Sequence, residues 1–188
     1  MKLSILICSL ISRTDMLRCL EHHLHMQIFN HDMVEVLTQV DNKNLSTGEK
    51  RNILLDRAEG EYIVFIDDDD WVPDYYVKEM LLAAASGADC FAINGTMTTD
   101  GADLRKWRIS KDYRNEDVVL DAEPIMLRTT NHITGVKRKL ALHAGFPDKS
   151  NAEDKAYSEA LRPLLKTEFT ISKPMYEDRF STVNKQYK

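Results

Sequence analysis

An unbroken apolar run, Tyr62-Ile63-Val64-Phe65-Ile66, passes directly into four aspartates, Asp67-Asp68-Asp69-Asp70, and then Trp71. A run that is apolar at consecutive positions buries both of its faces, as a central strand does in a parallel sheet covered by helices on two sides. The carboxylates therefore stand at the carboxyl end of a strand, where open α/β sheets place their ligands. Four adjacent carboxylates repel one another strongly unless a cation lies among them. A hard divalent ion fits, because Mg²⁺ keeps waters while taking one or two carboxylates plus substrate phosphates. The competing explanation is an acidic turn at the start of the next helix, where Asp is favoured. One aspartate would suit that explanation; four after an all-apolar strand argue against it.

Apolar runs alternate with amphipathic segments through the first half of the chain, the pattern of βαβ units. Residues 3–8 read as a strand, and Leu17, Leu20, Leu24 and Ile28 recur at helical spacing, predicting a helix over 14–27 with Arg18, His22 and His23 toward solvent. Residues 34–40 form the next strand. Ser46-Thr47-Gly48-Glu49 is a capping box opening a helix that Gly60 closes, and residues 61–66 follow as a strand. Pro73 and Asp74 start a helix that Gly87 ends, and 89–94 is a fourth strand. Residues 95–135 read as short strands with long loops. Ser150-Asn151-Ala152-Glu153 is a second capping box, opening a helix to about residue 165. Residues 166–172 and 175–180 read as a closing strand pair. The expected fold is α/β, with a Rossmann-like, mostly parallel central sheet flanked by helices and a smaller mixed region. One domain covers 1–188, with halves of about 1–95 and 96–188.

Length and composition set the outer bounds. A chain of 188 residues fits one domain, and no stretch reaches the ~20 apolar residues that cross a bilayer. The apolar start stops after about ten residues and meets Arg13, Asp15 and Arg18 without a small-residue cleavage site. That predicts a first strand rather than a signal peptide, and a cytoplasmic location. Cys8, Cys19 and Cys90 form no CxxC motif and read as reduced, buried thiols. A net charge of −5 argues against nucleic-acid binding by bulk electrostatics. Arg105, Lys106, Arg108, Lys111 and Arg114 remain as either a local basic groove or a solvated face.

Ser46-Thr47-Gly48-Glu49-Lys50-Arg51-Asn52, followed by Gly60-Glu61-Tyr62 and the strand into Asp67–Asp70, resembles the core of family 2 glycosyltransferases of the GT-A fold. The resemblance implies that Asp67 and Asp69 are the Asp-x-Asp pair. Asp67 would reach the ribose or sugar and share in the metal, Asp69 would bind Mn²⁺ or Mg²⁺ directly, and Asp70 would support them from behind. Asp68 is expected beside the donor. Residues 3–13 are similar to the family's first strand and nucleotide loop, implying donor contacts from Ser9 and Arg13. Asp41 matches a base-reading position, since a carboxylate accepts the N3–H of uracil or thymine; it also reads as a turn residue in Asp41-Asn42-Lys43-Asn44. Arg51 matches a position that approaches the nucleotide.

By the same resemblance, Glu153-Asp154 is the acidic pair that opens a later helix. Asp154 would be the general base that takes the acceptor's hydroxyl proton, and Glu153 would cap the helix or contact the acceptor. His132 and Trp71 are expected on the acceptor side, with His132 a possible ligand for acceptor or metal or an ordinary hydrogen-bonded residue. Lys137 or Arg138 would contact phosphate. The family's C-terminal metal-binding His has no match in Met175-Tyr176-Glu177-Asp178-Arg179-Phe180-Ser181. Arg179 is expected to neutralise the diphosphate, with Asp178 a weaker candidate for the ion. A longer C-terminal extension is lacking, which implies an acceptor site that is small or shared with a partner.

The function implied is inverting transfer of a sugar from a UDP- or dTDP-linked donor to an acceptor hydroxyl on a glycan, protein, small molecule or hydroxylated nucleobase. Nucleic acid enters only as that last acceptor, and the oligomeric state stays open. The alternative is a metal-dependent nucleotide-sugar or sugar-binding module without transfer. A phosphohydrolase with an Asp nucleophile would need its Asp-x-Asp near the first strand, followed by Gly or a hydroxyl residue. The mid-chain Asp70-Trp71 disagrees.

Overall fold

Strand β1 (Leu3–Leu10) lies between β2 (Val34–Asp41) and β3 (Tyr62–Phe65), parallel to both, with Leu3 opposite Val34 and Tyr62. The computed structural model describes residues 3–28, 32–120 and 122–181. Met1 and Lys2, part of the apolar start, lie outside the described residues. Side chains alternate across a strand, and β3 divides accordingly. Tyr62, Val64 and Ile66 pack in one core with Leu17, Leu20 and Leu24 of α1 (Thr14–Ile28) and Val77 and Met80 of α3 (Tyr76–Ala85). Ile63 and Phe65 pack in the other, with Leu54 and Leu55 of α2 (Thr47–Arg57), Ala141 of α4 (Arg138–Ala144) and Tyr157 of α5 (Glu153–Leu161). The apolar run thus serves two cores at once.

Beyond β3 the sheet is mixed rather than mostly parallel. The two-residue β8 (Val136–Lys137) runs antiparallel between β3 and β4 (Cys90–Thr99), and β5 (Ala102–Ile109) returns antiparallel along β4. Strand β7 (Glu123–Arg128) is parallel to β5, and β6 (Glu116–Leu120) is antiparallel to β7. Among the described residues, four pairings are parallel and four antiparallel. A parallel pair needs a long crossover, whereas a two-residue turn enforces an antiparallel one. That turn is Asp100-Gly101, both at positive φ (51° and 76°), the backbone a tight hairpin demands.

Other expectations change on the same side of the molecule. Residues 166–180 do not form a strand pair; a single β9 (Glu168–Phe180) runs parallel to β4. Its register shifts around Asn94 and Pro174, where proline has no N–H for the ladder. The box at Ser150 is absent. Ala152 precedes α5 in a left-handed conformation with no side-chain cap, and Ser150 Oγ instead accepts Thr47 N–H. The box at Ser46 is present with both of its hydrogen bonds. His23 is not left to solvent: its ring stacks on Trp71 at 4.5 Å. Of the thiols, Cys90 is buried, Cys8 half-buried and Cys19 exposed. Among the described residues, no helix is long and apolar enough to cross a membrane.

Candidate active site

The four aspartates leave β3 on a turn closed by Asp70 N–H to Asp67 O, and each carboxylate finds a different partner. Asp67 accepts from Arg51 Nη2 at 3.1 Å, and its other oxygen lies 3.4 Å from His132 Nε2. Asp68 accepts from Ser9 Oγ at 2.5 Å and Arg13 Nη1 at 2.6 Å. Asp69 takes the second arm of the Arg13 guanidinium. Asp70 accepts Tyr176 Oη and Arg179 N–H, both at 2.8 Å.

These partners divide the cluster. Asp67, Asp69 and Asp70 line a cavity of about 230 Å³ with Asp178, His132 and Arg179, and Asp154 opens onto the same space. Asp68, expected beside the donor, is buried and outside the cavity lining, where it anchors Arg13 and Ser9. Ser9 is buried too and serves Asp68 rather than the cavity. Burial, reinforced by the Asp69 and Asp67 charges and opposed by Ser9 and Arg13, pushes the Asp68 carboxyl up to about 6. Asp70 is also held well above the ordinary range, by burial and then by the charges of Asp67 and Asp178.

An excess of negative charge at one cavity is the setting a divalent cation relieves. Among the described residues, no three His, Cys, Asp or Glu side chains are arranged to hold an ion by themselves. The donor set therefore fits an ion that takes one or two carboxylates and completes its shell with phosphate and water, not a closed structural site.

Asp154 sits in the first turn of α5, where the positive helix end favours an anion. One of its oxygens accepts Lys155 N–H at 2.7 Å. Glu153 is buried, with Oε1 3.3 Å from Arg51 Nη1, so it faces Arg51 instead of capping the helix through a box. Arg51 is itself only 3% exposed and lies against Asp67 and Glu153. Asp41 closes the turn by accepting Leu45 N–H and pairs with buried Lys50 at 2.9 Å. Burial would raise its carboxyl, but those bonds outweigh it and hold it low.

Trp71 does not line the cavity; it packs between His23 and the Arg179 guanidinium, 5.2 Å from the ring centre. Lys137 pairs with Asp89, Arg138 donates to Leu55 O, and neither lines the aspartate cavity. A larger cavity of about 500 Å³ lies over β4, β5 and β9, but none of the aspartates lines it. Sequence reasoning missed Tyr176 and Lys50. Tyr176 was recoverable, because it alternates with Asp178 at strand spacing.

The sequence pattern of glycosyl transferase family 2 matches residues 15–143. A protein of Bacillus subtilis (strain 168) named as a glycosyltransferase, EpsH, is 34% identical over 70 residues, which cover 34% of this chain and 20% of that protein. Among solved structures, the fold is similar to S. aureus TarS 1-349 in complex with UDP, at TM-score 0.72 and 18% identity, covering 96% of this chain and 61% of that one. The same fragment in complex with UDP-GlcNAc gives TM-score 0.67 and 17% identity, covering 95% and 58%. At such identities the likeness is one of fold, and this chain spans less than two thirds of each of these proteins.

Proposed function

This chain belongs to glycosyl transferase family 2, and on that premise we propose that it is an inverting transferase moving a sugar from a UDP- or dTDP-linked donor to an acceptor hydroxyl. One observation carries the reading: Asp154, at the start of α5, opens onto the cavity lined by Asp67 and Asp69. A base on one side of a nucleotide-sugar and carboxylates on the other suit a single displacement at the anomeric carbon. The UDP and UDP-GlcNAc complexes of a structural relative support the donor class.

Asp154 takes the acceptor's proton as the hydroxyl oxygen bonds to the anomeric carbon and the bond to the diphosphate breaks. Arg179, half-exposed at the rim, meets the departing diphosphate. Asp67 orients the sugar or ribose, and Asp41 reads the pyrimidine N3–H. A divalent cation, Mn²⁺ or Mg²⁺, held by Asp69 and Asp67 would offset the charge of the leaving group.

Thermal unfolding with UDP or dTDP, each with Mn²⁺, Mg²⁺ or EDTA, tests the donor site. A ligand that binds the native state raises its apparent stability. The nucleotide should stabilise the protein only when a divalent ion is present, and Asp69→Asn should abolish that gain. Equal stabilisation in EDTA would remove the ion from the reading.

A further inference from the structure

The neighbouring side chains of Arg51 and Asn52 join α2 to two segments distant in sequence. Asn52 donates from Nδ2 to Phe146 O at 2.8 Å and accepts Phe146 N–H at 2.9 Å, fixing the chain ahead of α5. Arg51 bridges Asp67 at 3.1 Å and Glu153 at 3.3 Å, so one guanidinium touches the first aspartate of the cluster and the residue beside Asp154. Its cation lies 5.6 Å from the centre of the Phe65 ring and 5.4 Å from that of Phe146. Phe146 in turn stacks on Tyr157 of α5 at 4.1 Å.

Nε and Nη1 of Arg51 make no hydrogen bond among the described residues. A buried cation is costly unless its partners compensate, so a site that keeps one invites a reason. Reaching the donor is not that reason, given how little of Arg51 is exposed. The first turn of α5 has no side-chain cap and follows a left-handed Ala152. Apolar contacts at Phe65, Phe146 and Tyr157 hold the helix near β3, but hydrophobic attraction is non-directional and does not set a spacing. The Arg51 guanidinium adds a hydrogen bond to Asp67 and an ion pair to Glu153 from one rigid plane, which ties the two segments at a defined distance.

We infer that Arg51 is a positioning residue: it sets the separation between Asp67 and Asp154, with Asn52 steadying the same bracket. The inference rests on the proposal that Asp154 is the base. Catalysis is steep in such a spacing, because a displacement of about 1 Å can cost about 10²-fold in rate.

Arg51→Lys tests it, since lysine keeps the charge but offers a point donor that cannot bridge both carboxylates. In the folded variant, kcat for transfer or donor hydrolysis should fall by about 10²-fold, while calorimetric UDP affinity stays close to wild type. Glu153→Gln weakens the same bridge from α5, so the double variant should fall no further than the worse single one. Wild-type turnover in Arg51→Lys, loss of UDP affinity in step with turnover, or multiplicative losses in the double variant would each overturn the inference. Amide exchange over residues 153–157 gives a readout that needs no activity. It should quicken in Arg51→Lys while residues 62–65 stay unchanged, and unchanged exchange at 153–157 would also overturn the bracket. Asp154→Asn assayed alongside separates the two claims: normal turnover there removes the base, and the exchange data still decide the bracket.

Discussion

Tyr176 and Asp70, 106 positions apart, share a buried hydrogen bond of 2.8 Å, and the same hydroxyl accepts Asp67 N–H at 3.1 Å. The last strand thereby braces both ends of the aspartate turn. Tyr176→Phe would leave the Asp67 N–H without its acceptor and Asp70 without its hydroxyl donor, the more costly way to lose a hydrogen bond. Denaturant unfolding should show a loss of about 1–3 kcal/mol. An unchanged midpoint would mean that the turn holds its shape without β9.

Asp154→Asn nearly preserves shape but cannot accept a proton. Turnover should fall by about 10²–10⁴-fold, with metal-dependent donor affinity close to wild type, the pattern of an interaction made only in the transition state. Product NMR with the wild-type protein should show the anomeric configuration opposite to the donor's. Near-normal turnover in the variant, or a retained configuration, would place the base elsewhere.

Asp68 predicts a pH dependence. Its folded carboxyl is raised from 3.8 to about 6, so the folded state holds the proton more tightly than the unfolded chain does. Its contribution to stability is complete below the unfolded value and is lost as pH rises through the folded one. Asp41 and Asp89 are shifted downward, so they lose their stabilisation only at still lower pH. In EDTA, the wild-type melting temperature should therefore decline between about pH 4 and pH 6.5 relative to that of Asp68→Asn. Parallel curves for the two proteins would contradict the assignment.

Gly48 tests how α2 docks. A Cβ there would lie 1.9 Å from Pro147 O, and Gly48 N–H donates to Lys149 O at 3.1 Å. Ala gains about 1 kcal/mol in intrinsic helix propensity, but overpacking against rigid backbone costs about 1–3 kcal/mol. Gly48→Ala should accordingly lower stability in urea unfolding. A more stable variant would show that the 147–149 loop yields freely.

Period and punctuation carried the first half of the fold. The consecutive apolar residues of β3, the helical spacing of Leu17, Leu20 and Leu24, and the Ser46 box each act over a few residues, so they survive as patterns in the chain. Asp100-Gly101 is an equally local hairpin signal, and it lies at the turn of the antiparallel β4–β5 pair.

The amino-acid sequence by itself determined that four carboxylates would gather at a strand end and that an acidic pair would open a helix. Only the tertiary structure decided which of them face one another. Asp68 turns away because Ser9 and Arg13, 59 and 55 positions earlier, hold it, and Glu153 turns inward because Arg51 is buried beneath it. Adjacent aspartates are chemically identical in the chain, and their orientation depends on hydrogen-bond partners that only packing brings within reach.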